Sequence, residues 1–577
     1  MPGSAEGIQR LVHALEAGGA AVWVRRTFVV VVVIALTLFY FIHEFSGLAT
    51  SQAMDQAQIG RNIARGEGWH TNLIRPRAIG QLQHKGKVVD QKIWTDTYNA
   101  PLPPLVNAIA LFPIKSHWKM IPRDITYIGD KAIVLVQILF FLGSIVVLFF
   151  IARRLFDQRV ALLSCTLVLI CDTIWQYSLT GLPQMLLLFL FCLTTYFLLR
   201  AVQAQYGGGP VGIWLALAGL GFGLLALTHA LTIWIFVGAF VYCAFFFRPR
   251  GYAAVIVLLG FLILYAPWLA RNFIVSGNPG GVAIYSVLDG ISQSEAGWMR
   301  HVGLDMEGIG PGHFRDRITS EFIRQFGRLF EYFGWSVVAP LFFVSLLHRF
   351  KRPETAAMRW LILSMWVGAV MGMSIYGMRE EQNFTANQLH LIFIPIMTCY
   401  GFAFLLVLWN RLEIDLGLAR IGFLVLLFLL CGWPMIYTFT LAKKKSPIRW
   451  PPYIPPYIAV LNDWMGPDEI TASDMPWAVA WYADRPAIWL PESVTAMSDL
   501  NDYRILGKPI NGLYITPVSG SQNTLADILK GEYKGWAVVI LRSIDVQKFP
   551  LPWVTLLGLE NECMFFSDHD RTKRRSP

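Results

Sequence analysis

An aspartate, Asp55, follows the first strongly apolar stretch of the chain by about a dozen residues, in the polar segment SQAMDQAQIGRNIARGEGW. A carboxylate held at a membrane face is suited to take a proton from an attacking hydroxyl group. Cationic groups beside it would neutralise the charge that develops on a departing phosphate. These residue types favour a reaction between a lipid-phosphate compound and a water-side molecule, such as transfer of a sugar from a lipid carrier.

Three cationic residues in other loops are candidates for binding the phosphate. Arg271 ends the seventh apolar stretch within PWLARNFIVSGNP, and Arg379 and His390 lie in GMREEQNFTANQLHLIFIP before the tenth. Guanidinium and imidazole groups both donate hydrogen bonds to phosphate oxygens. Structural roles remain open for each residue: an interfacial anchor for Arg271, loop solubility for Arg379 and a helix cap for His390.

The long loop after the first apolar stretch holds further candidates. Trp69 and Tyr98 offer aromatic faces on which a sugar ring could stack. Asp96, in the segment KIWTDTYNAP, is a second acidic residue of this loop and has no assigned role. Residues 52–66 carry apolar side chains on one side, which predicts a helix on the membrane surface that ends at Gly66. A second helix is expected at the proline pair of NAPLPPLVNAIALF.

The elements that must position these residues are membrane-spanning helices. Hydrophobic residues make up 55% of the 577 residues, charged residues only 15%, and the mean hydropathy is +0.49. This composition excludes a water-soluble fold. A helix needs about 20 mostly apolar residues to cross the hydrocarbon core. About eleven stretches fit, near residues 27–44, 131–151, 160–177, 183–200, 212–228, 231–247, 252–270, 332–348, 359–376, 390–408 and 419–438.

Arginine residues in the short loops predict the orientation of these helices, because cationic residues are retained on the cytoplasmic side. Placing the N-terminus inside puts the arginines of the short loops on that side, and two long loops, 45–130 and 271–331, then face outward. The predicted parts are a cytoplasmic segment 1–26, a membrane module 27–440, a proline-rich linker 441–456 and a soluble extracytoplasmic domain 457–577.

The C-terminal region is expected to form a compact α/β domain of about 120 residues. Its strand-like segments are EITASD, AIWLP, GLYITP and WAVVILR, and its helix-like segments are PYIAVLNDWM, PWAVAWYA and TLADILKG. Only one of the seven cysteines, Cys563, lies there, so no disulfide pair is expected. The net charge of +10 follows from topology and lipid contact and does not indicate nucleic-acid binding.

Three segments resemble signature sequences of one family. MDQAQIGRNIARGEGW is similar to the first-loop signature of the GT-C superfamily of membrane glycosyltransferases, specifically the bacterial relatives of protein O-mannosyltransferases and aminoarabinose lipid A transferases. NAPLPPLVNAIALF resembles the proline-pair helix of the same loop, and PWLARNFIVSGNP resembles the end of a central span. The resemblance covers most of the membrane region and implies a GT-C-like helical fold.

The same resemblance implies site residues. By position, Asp55 matches the catalytic aspartate of the family. Arg61 and Asn62 match the polar pair on the interfacial helix, and Arg271 and Asn272 match the polar pair that ends the central span.

It also implies an inverting hexosyl- or pentosyltransferase that uses a polyprenyl-phosphate-linked sugar. Transfer would take place outside a bacterial inner membrane, in which the chain is a multi-pass protein with its C-terminal domain in the periplasm. Membrane lipids and a protein, lipid or glycan acceptor are the expected partners.

The chain departs from the family pattern at two positions. Gln56 stands where the family commonly has glutamate, and Gln184 stands where a carboxylate often begins the fourth span. Divalent cations prefer carboxylate oxygens, so these departures argue against a metal cofactor, and no other cofactor is indicated.

Two alternatives to catalysis remain open at this stage. The chain could be a non-catalytic GT-C-like scaffold or carbohydrate-binding protein, in which the loss of acidic residues at positions 56 and 184 has abolished catalysis. It could also be a lipid or solute flippase, although the predicted spans contain few of the charged residues that transporters place inside the membrane.

Overall fold

Long apolar runs form helices in the computed structural model of the protein, because a backbone in lipid has to satisfy its hydrogen bonds within each segment. The structure describes residues 19–84, 94–122, 124–291, 297–303, 308–381, 383–412, 417–442, 455–502, 506–519, 525–543, 549–558 and 562–572. The predicted N-terminal segment 1–26 and the proline-rich linker 441–456 lie largely outside these residues.

Eight helices in the described part of the chain are long and apolar enough to cross a membrane, which confirms a multi-pass α-helical protein. They are Gly19–His43, Ile128–Leu155, Gln184–Gly207, Val211–Thr228, Tyr252–Ser276, Pro353–Tyr376, His390–Arg411 and Gly417–Thr440. Large apolar side chains such as Phe28, Ile263 and Leu418 are exposed on their outer faces, as expected for contact with lipid.

One predicted span, 160–177, is broken in the middle. It forms the helices Gln158–Leu169 and Asp172–Ser178, which meet at an angle of 59°, and counting this pair as one span gives nine. The indole N–H of Trp175 donates to the carbonyl oxygen of Leu169 at 2.7 Å and so satisfies a carbonyl that the break sets free.

Two other predicted spans are shorter than a membrane crossing requires. The stretch 231–247 forms a helix of 15 residues, Thr232–Phe246. The stretch 332–348 contains the last residue of one short helix, Leu329–Tyr332, and the whole of another, Leu341–Ser345. Between those two helices Gly334 and Trp335 both have positive φ angles, of 69° and 57°, which do not fit a continuous helix.

Close packing of two spanning helices fixes the position of the predicted site residue Arg271. Gly219 and Gly260 face each other where the helices Val211–Thr228 and Tyr252–Ser276 pack together. A Cβ atom at Gly219 would lie 2.5 Å from the carbonyl oxygen of Val257, so a larger side chain would force the helices apart. Small residues at such contacts allow membrane helices to pack through their backbones.

The first outer loop begins with the predicted helix, here called the first-loop helix, Ser51–Arg65. The hydroxyl of Thr50 accepts a hydrogen bond from the backbone N–H of Ala53 at its start, and Gly66, with φ of 83°, ends it. The helix does not lie free on a surface as predicted. Most of its length is buried against helix Leu102–Leu111 and the C-terminal domain, so protein groups hold its polar side chains.

A six-stranded sheet forms the C-terminal domain and takes one strand from the first outer loop. The strands are β1 (Leu73–Ile74), β2 (Ile470–Ser473), β3 (Ala487–Trp489), β4 (Ile510–Ile515), β5 (Trp553–Leu557) and β6 (Cys563–Ser567). Their order is β1-β3-β2-β4-β6-β5. The strands β1, β3, β2 and β4 are parallel, with Leu73 opposite Ala487, whereas β6 runs antiparallel to β4 and β5.

Three of the four predicted strand segments form strands, but the strand prediction for WAVVILR is wrong. This segment contains the short helix Ala537–Ile540, while β5 and β6 were not predicted. The indole of Trp536 is buried and donates to the carbonyl oxygen of Pro491 at 2.8 Å. Tertiary contacts of this kind decide between helix and strand where a short apolar run fits both.

The remaining helical elements of the outer loops and the C-terminal domain are short. They are Pro76–His84, Leu102–Leu111, Phe112–His117, Gly281–Leu288, Trp298–Arg300, Pro311–Gly327, Pro455–Ala459, Leu461–Trp464, Pro476–Ala478, Val479–Ala483, Val494–Asp502 and Leu525–Lys530.

Charged hydrogen bonds join the first-loop helix to the C-terminal domain. Arg61 is 1% exposed and donates to the carbonyl oxygens of Ala480 and Trp481, both at 2.7 Å. Its guanidinium also lies 2.9 Å from the carboxylate of Asp484, which Arg65 contacts at 2.6 Å. Burial would raise the pKa of Asp484, but the two arginines outweigh burial and hold that pKa below its ordinary value.

Asp484→Ala is expected to lower the free energy of unfolding by about 3 kcal/mol, because Arg61 would remain buried without its charged partner. Thermal and chemical denaturation of the detergent-solubilised protein measure this change. Asp468→Ala is the matched control, since the Asp468 side chain is 73% exposed and contacts Lys508 at 3.5 Å; it should change stability by less than about 1 kcal/mol. Equal losses in the two variants would contradict the role of Asp484.

The buried carboxyl of Asp474 makes a pH-dependent contribution to stability. Burial raises its pKa to about 6, although Thr516 and Ser519 donate hydrogen bonds to it. Because the folded-state pKa exceeds the unfolded value of 3.8, stability is lost as the pH rises from about 4 to about 6. As the pH rises across this interval, the melting temperature of the wild type should therefore fall relative to that of Asp474→Asn. A constant difference between the two would contradict this titration.

Candidate active site

The carboxylate of Asp55 is held inside the protein by three hydrogen-bond donors. Gln58 Nε2 donates to Asp55 Oδ1 at 3.0 Å, Asn99 Nδ2 donates to Oδ2 at 2.6 Å, and Arg75 also donates to Oδ2. Gln58 lies one turn further along the first-loop helix, so helical spacing brings the two side chains together. A carboxylate offers about four acceptor positions, which leaves one for an incoming hydroxyl group.

Arg75 links Asp55 to a second carboxylate. Its Nη1 atom lies 3.7 Å from Asp96 Oδ1, and its guanidinium lies 4.0 Å from the ring centroid of Tyr98. Burial, followed by the nearby charge of Asp55, raises the pKa of Asp96 above its ordinary value, while Arg75 opposes the shift. The environment of Asp96 thus favours its protonated form.

A tight turn around Asp96 positions its neighbours. The Asp96 carboxylate accepts hydrogen bonds from the backbone N–H groups of Tyr98, at 3.3 Å, and Asn99, at 2.8 Å. Aspartate commonly stabilises turns in this way. The turn directs the Asn99 amide toward Asp55 and the Tyr98 ring toward Arg75.

Arg271 reaches the same cluster from the end of helix Tyr252–Ser276. Its Nη1 atom donates to the backbone carbonyl of Asp96 at 2.6 Å and to the side-chain oxygen of Asn272 at 2.8 Å. The guanidinium lies 4.6 Å from the ring centroid of Trp268, which lies 5.6 Å from that of Trp69. The Nη2 atom of Arg271 is buried and has no hydrogen-bond partner among the described residues, so it can donate to an anion.

Asp55, Arg271, Asn272, Trp69 and Tyr98 are thus brought together, whereas the other predicted site residues lie elsewhere. Arg61 binds the C-terminal domain, as described above. Asn62 Nδ2 donates to the carbonyl oxygen of His70 at 3.0 Å and holds the end of the first-loop helix. Both side chains therefore hold protein groups in place.

The structure also corrects the expected positions of His390 and Arg379 beside a lipid phosphate. His390 is fully buried, where Trp366 donates to its Nδ1 at 3.1 Å, Gln325 lies 3.2 Å from its Nε2 and Tyr332 stacks on its ring. Arg379 lies between two carboxylates, those of Asp289 and Glu532, at 3.6 and 3.5 Å. The partners of both side chains are protein groups.

Reasoning from the sequence missed three residues that contact Asp55. Arg75 precedes Pro76 at the start of a helix in the first outer loop, and no motif marks it. Gln58 was overlooked although it lies three residues after Asp55, a spacing that places both on one helix face. Asn99 stands inside the proline-pair segment, and its proximity to Asp96 in the sequence was the available signal.

The side chains around Asp55 do not fit a divalent cation. Asp55 and Asp96 both face the guanidinium of Arg75, which takes the place that a shared cation would need. No group of three or more His, Cys, Asp or Glu side chains in the described ranges could hold a metal ion. The buried amide of Gln56 has no hydrogen-bond partner within the described part of the chain, and Gln184 donates to the carbonyl oxygen of Ala386 at 2.7 Å. The cation that the carboxylates of Asp55 and Asp96 share is thus the guanidinium of Arg75.

A cleft of about 810 Å³ opens beside this cluster. It lies between the start of the first-loop helix, the second outer loop and the C-terminal domain, and Tyr98 lies on the boundary between the cleft and the Asp55 cluster.

Part of the sequence and the overall fold are similar to known proteins. Residues 124–271 match the family model of dolichyl-phosphate-mannose-protein mannosyltransferases. No curated protein matches the sequence. Among solved structures, the chain is similar to ArnT from Cupriavidus metallidurans bound to undecaprenyl phosphate, with 13% identity, a TM-score of 0.55, and coverage of 96% of this chain and 99% of ArnT.

It is also similar to the oligosaccharyltransferase of Archaeoglobus fulgidus, with 12% identity, a TM-score of 0.49, and coverage of 88% of this chain and 71% of that chain. At 13% identity the likeness to ArnT establishes the fold, and it extends over nearly the whole of both chains. With the family match across the central helices, it shows that this chain has the fold of the GT-C superfamily of membrane glycosyltransferases.

Proposed function

We propose that this protein transfers a sugar from a polyprenyl-phosphate donor to an acceptor hydroxyl on the outer side of the membrane. The observation that carries this proposal is that Arg271 reaches the cluster around the buried carboxylate of Asp55 and keeps a buried N–H group with no hydrogen-bond partner among the described residues. Transfer from a lipid phosphate needs a base for the acceptor and a cation for the leaving group. The ArnT structure, which carries undecaprenyl phosphate, supports a donor of this kind.

In the proposed reaction Asp55 is the general base. The acceptor hydroxyl transfers its proton to the Asp55 carboxylate as its oxygen bonds to the anomeric carbon, and the bond from that carbon to the phosphate oxygen breaks. The polyprenyl phosphate leaves with the electron pair of that bond, and Arg271 Nη2 stabilises its charge. A single displacement from the opposite face inverts the anomeric configuration. Trp69 and Tyr98 supply aromatic surfaces for the sugar ring.

Arg75 and Asn99 position the base. Both donate to Oδ2 of Asp55 and keep the charged carboxylate in one orientation. Gln58, which donates to Oδ1, is held in turn by its own hydrogen bond to the hydroxyl of Thr71 at 2.7 Å.

We further propose that the chain lies in a bacterial inner membrane with its C-terminal domain in the periplasm. The first-loop helix and the C-terminal domain contact each other directly, so both lie on one side of the membrane. The arginine-rich short loops favour the cytoplasm as the other side. Alkaline phosphatase fused to the C-terminus should be active, and fusion within the short loop at Arg153 should give an inactive reporter.

A non-catalytic scaffold is the second candidate. The observation in its favour is that Asp55 is only 1% exposed and ion-paired with Arg75, as in a purely structural salt bridge.

Mass spectrometry of envelope lipids, glycans and proteins from a deletion strain, with and without the restored gene, tests the proposal that the protein transfers a sugar. It is supported if one glycosylated species disappears and returns, and if the purified protein in nanodiscs forms that species from a polyprenyl-phosphate sugar. Binding of donor without product would support the scaffold.

A further inference from the structure

We propose that the cleft beside the Asp55 cluster binds an uncharged carbohydrate of several sugar units and that this carbohydrate is the acceptor. The inference rests on the proposed function and adds to it the chemical class of the second substrate. The volume of the cleft, about 810 Å³, is large for a single sugar and falls within the range of ligand sites, roughly 300–1,000 Å³.

Aromatic side chains from three parts of the chain line the cleft. Trp298 belongs to the second outer loop, Tyr98 to the first, and Trp477, Trp489 and Tyr533 to the C-terminal domain. The rings of Trp477 and Trp489 are perpendicular, at 88°, with centroids 5.5 Å apart. One face of a pyranose ring presents C–H groups and packs on an aromatic ring, while its hydroxyl groups at the rim need polar partners. Trp298 and Tyr533 are buried, so the half-buried Tyr98, Trp477 and Trp489 supply the accessible aromatic surfaces, which fit a short chain of such rings.

The charged groups of the cleft favour hydroxyl groups over anions. Four carboxylates line it, those of Asp289, Glu380, Glu381 and Glu532, against two arginines. Carboxylates accept hydrogen bonds from sugar hydroxyls and repel phosphate groups.

Both arginines of the cleft already contact protein acceptors, Arg300 through hydrogen bonds and the largely exposed Arg379 through two carboxylates. The Arg300 guanidinium donates to three backbone carbonyls, those of Leu490, Pro491 and Glu532, at 2.6 to 2.8 Å. Arg379 lies between the carboxylates of Asp289 and Glu532. The lipid phosphate is therefore assigned to Arg271, and the cleft to an uncharged molecule.

Two contacts connect the cleft to residues around the base, which does not itself line the cleft. Tyr98 lines the cleft, and the other side of its ring covers Arg75, the partner of Asp55. Glu381 lines it as well, and both of its carboxylate oxygens accept hydrogen bonds from Ser51, at 2.9 and 2.8 Å, at the start of the first-loop helix. A carbohydrate along the aromatic side chains would thus have one end one helical turn from Asp55.

The test measures binding of uncharged hexasaccharides without any donor, by quenching of tryptophan fluorescence in the full-length protein in nanodiscs. The probes are cellohexaose, laminarihexaose, maltohexaose and chitohexaose, with hexagalacturonate as the anionic comparison. We expect saturable binding of at least one neutral probe and binding at least about tenfold weaker for hexagalacturonate. Trp477→Ala should raise the dissociation constant at least about tenfold, and Trp477→Phe, which keeps a ring, by less.

Trp553→Ala is the matched control, because Trp553 lies in the same domain, is 51% exposed and does not line the cleft; its binding should equal that of the wild type. Asp55→Asn should also bind normally, so a failure of catalysis and a failure of this inference give different results. The inference is overturned if no neutral hexasaccharide binds, if Trp477→Ala and Trp477→Phe both bind as the wild type does, or if an uncharged hexapeptide binds in place of the sugars.

Discussion

Asp55→Asn is expected to lower the rate of sugar transfer by a factor of about 10²–10⁴ while leaving donor binding intact. The amide keeps the shape of the carboxylate and can still accept hydrogen bonds, but it cannot take the proton of an acceptor hydroxyl. The measurement is turnover of the purified protein with a polyprenyl-phosphate sugar, together with retention of that donor on the protein.

Asp96→Asn is the matched control for this prediction. Asp96 faces the same guanidinium, but its environment favours its protonated form, so its amide variant should retain much more activity. If Asp55→Asn turned over at the wild-type rate, Asp55 would not be the base and the scaffold would be the better account. If both variants lost activity equally, the two carboxylates would share the role.

Arg75→Met is expected to lower the free energy of unfolding by about 3–5 kcal/mol, because two buried carboxylates would lose the guanidinium between them. Sugar transfer should also be lost, since Asp55 would no longer be held in one orientation. Denaturation of the solubilised protein measures the first effect and the transfer assay measures the second.

Arg77→Met provides the comparison. Arg77 is also buried and lies in the same segment, where it donates to the carbonyl oxygen of Val302 at 3.0 Å and lies over the ring of Tyr285. Unlike Arg75, it makes no ion pair with a carboxylate among the described residues. Its loss should cost about 1 kcal/mol. Adding Asp55→Asn to Arg75→Met should restore part of the lost stability, because the buried carboxylate that Arg75 contacted is removed. A double variant no more stable than Arg75→Met would show that packing of the arginine, and not its charge, is what matters.

Hydropathy predicted the membrane architecture well, because the spanning helices depend on local composition. Eight of the eleven predicted spans are full-length helices. The other three depend on features that a window average does not register, such as the bend at Cys171 and the positive φ angles of Gly334 and Trp335. The first-loop helix was predicted in place, since its cap and its terminal glycine are local signals.

The candidate site was predictable only in part. Asp55 stood out because it follows an apolar stretch by about a dozen residues, and Arg271 because it ends one, each within a recognisable segment. Arg75 and Asp55 are 20 positions apart in the sequence, and a turn and a strand lie between them. No periodic pattern in the sequence predicts their contact. The burial of His390 was also not visible, because the side chains that enclose it, such as Gln325 and Tyr332, come from a distant helical segment.

The strand β1 has a consequence for how the protein is made. Residues 73–74, synthesised early, pair with β3, which leaves the ribosome some 400 residues later. Until then β1 has no partner strand, and a C-terminal fragment made alone would expose β3 as an open edge ready to pair with other chains. Assembly of the sheet thus waits for both ends of the chain, so a chain truncated within its membrane region would leave β1 without the strands that complete the sheet.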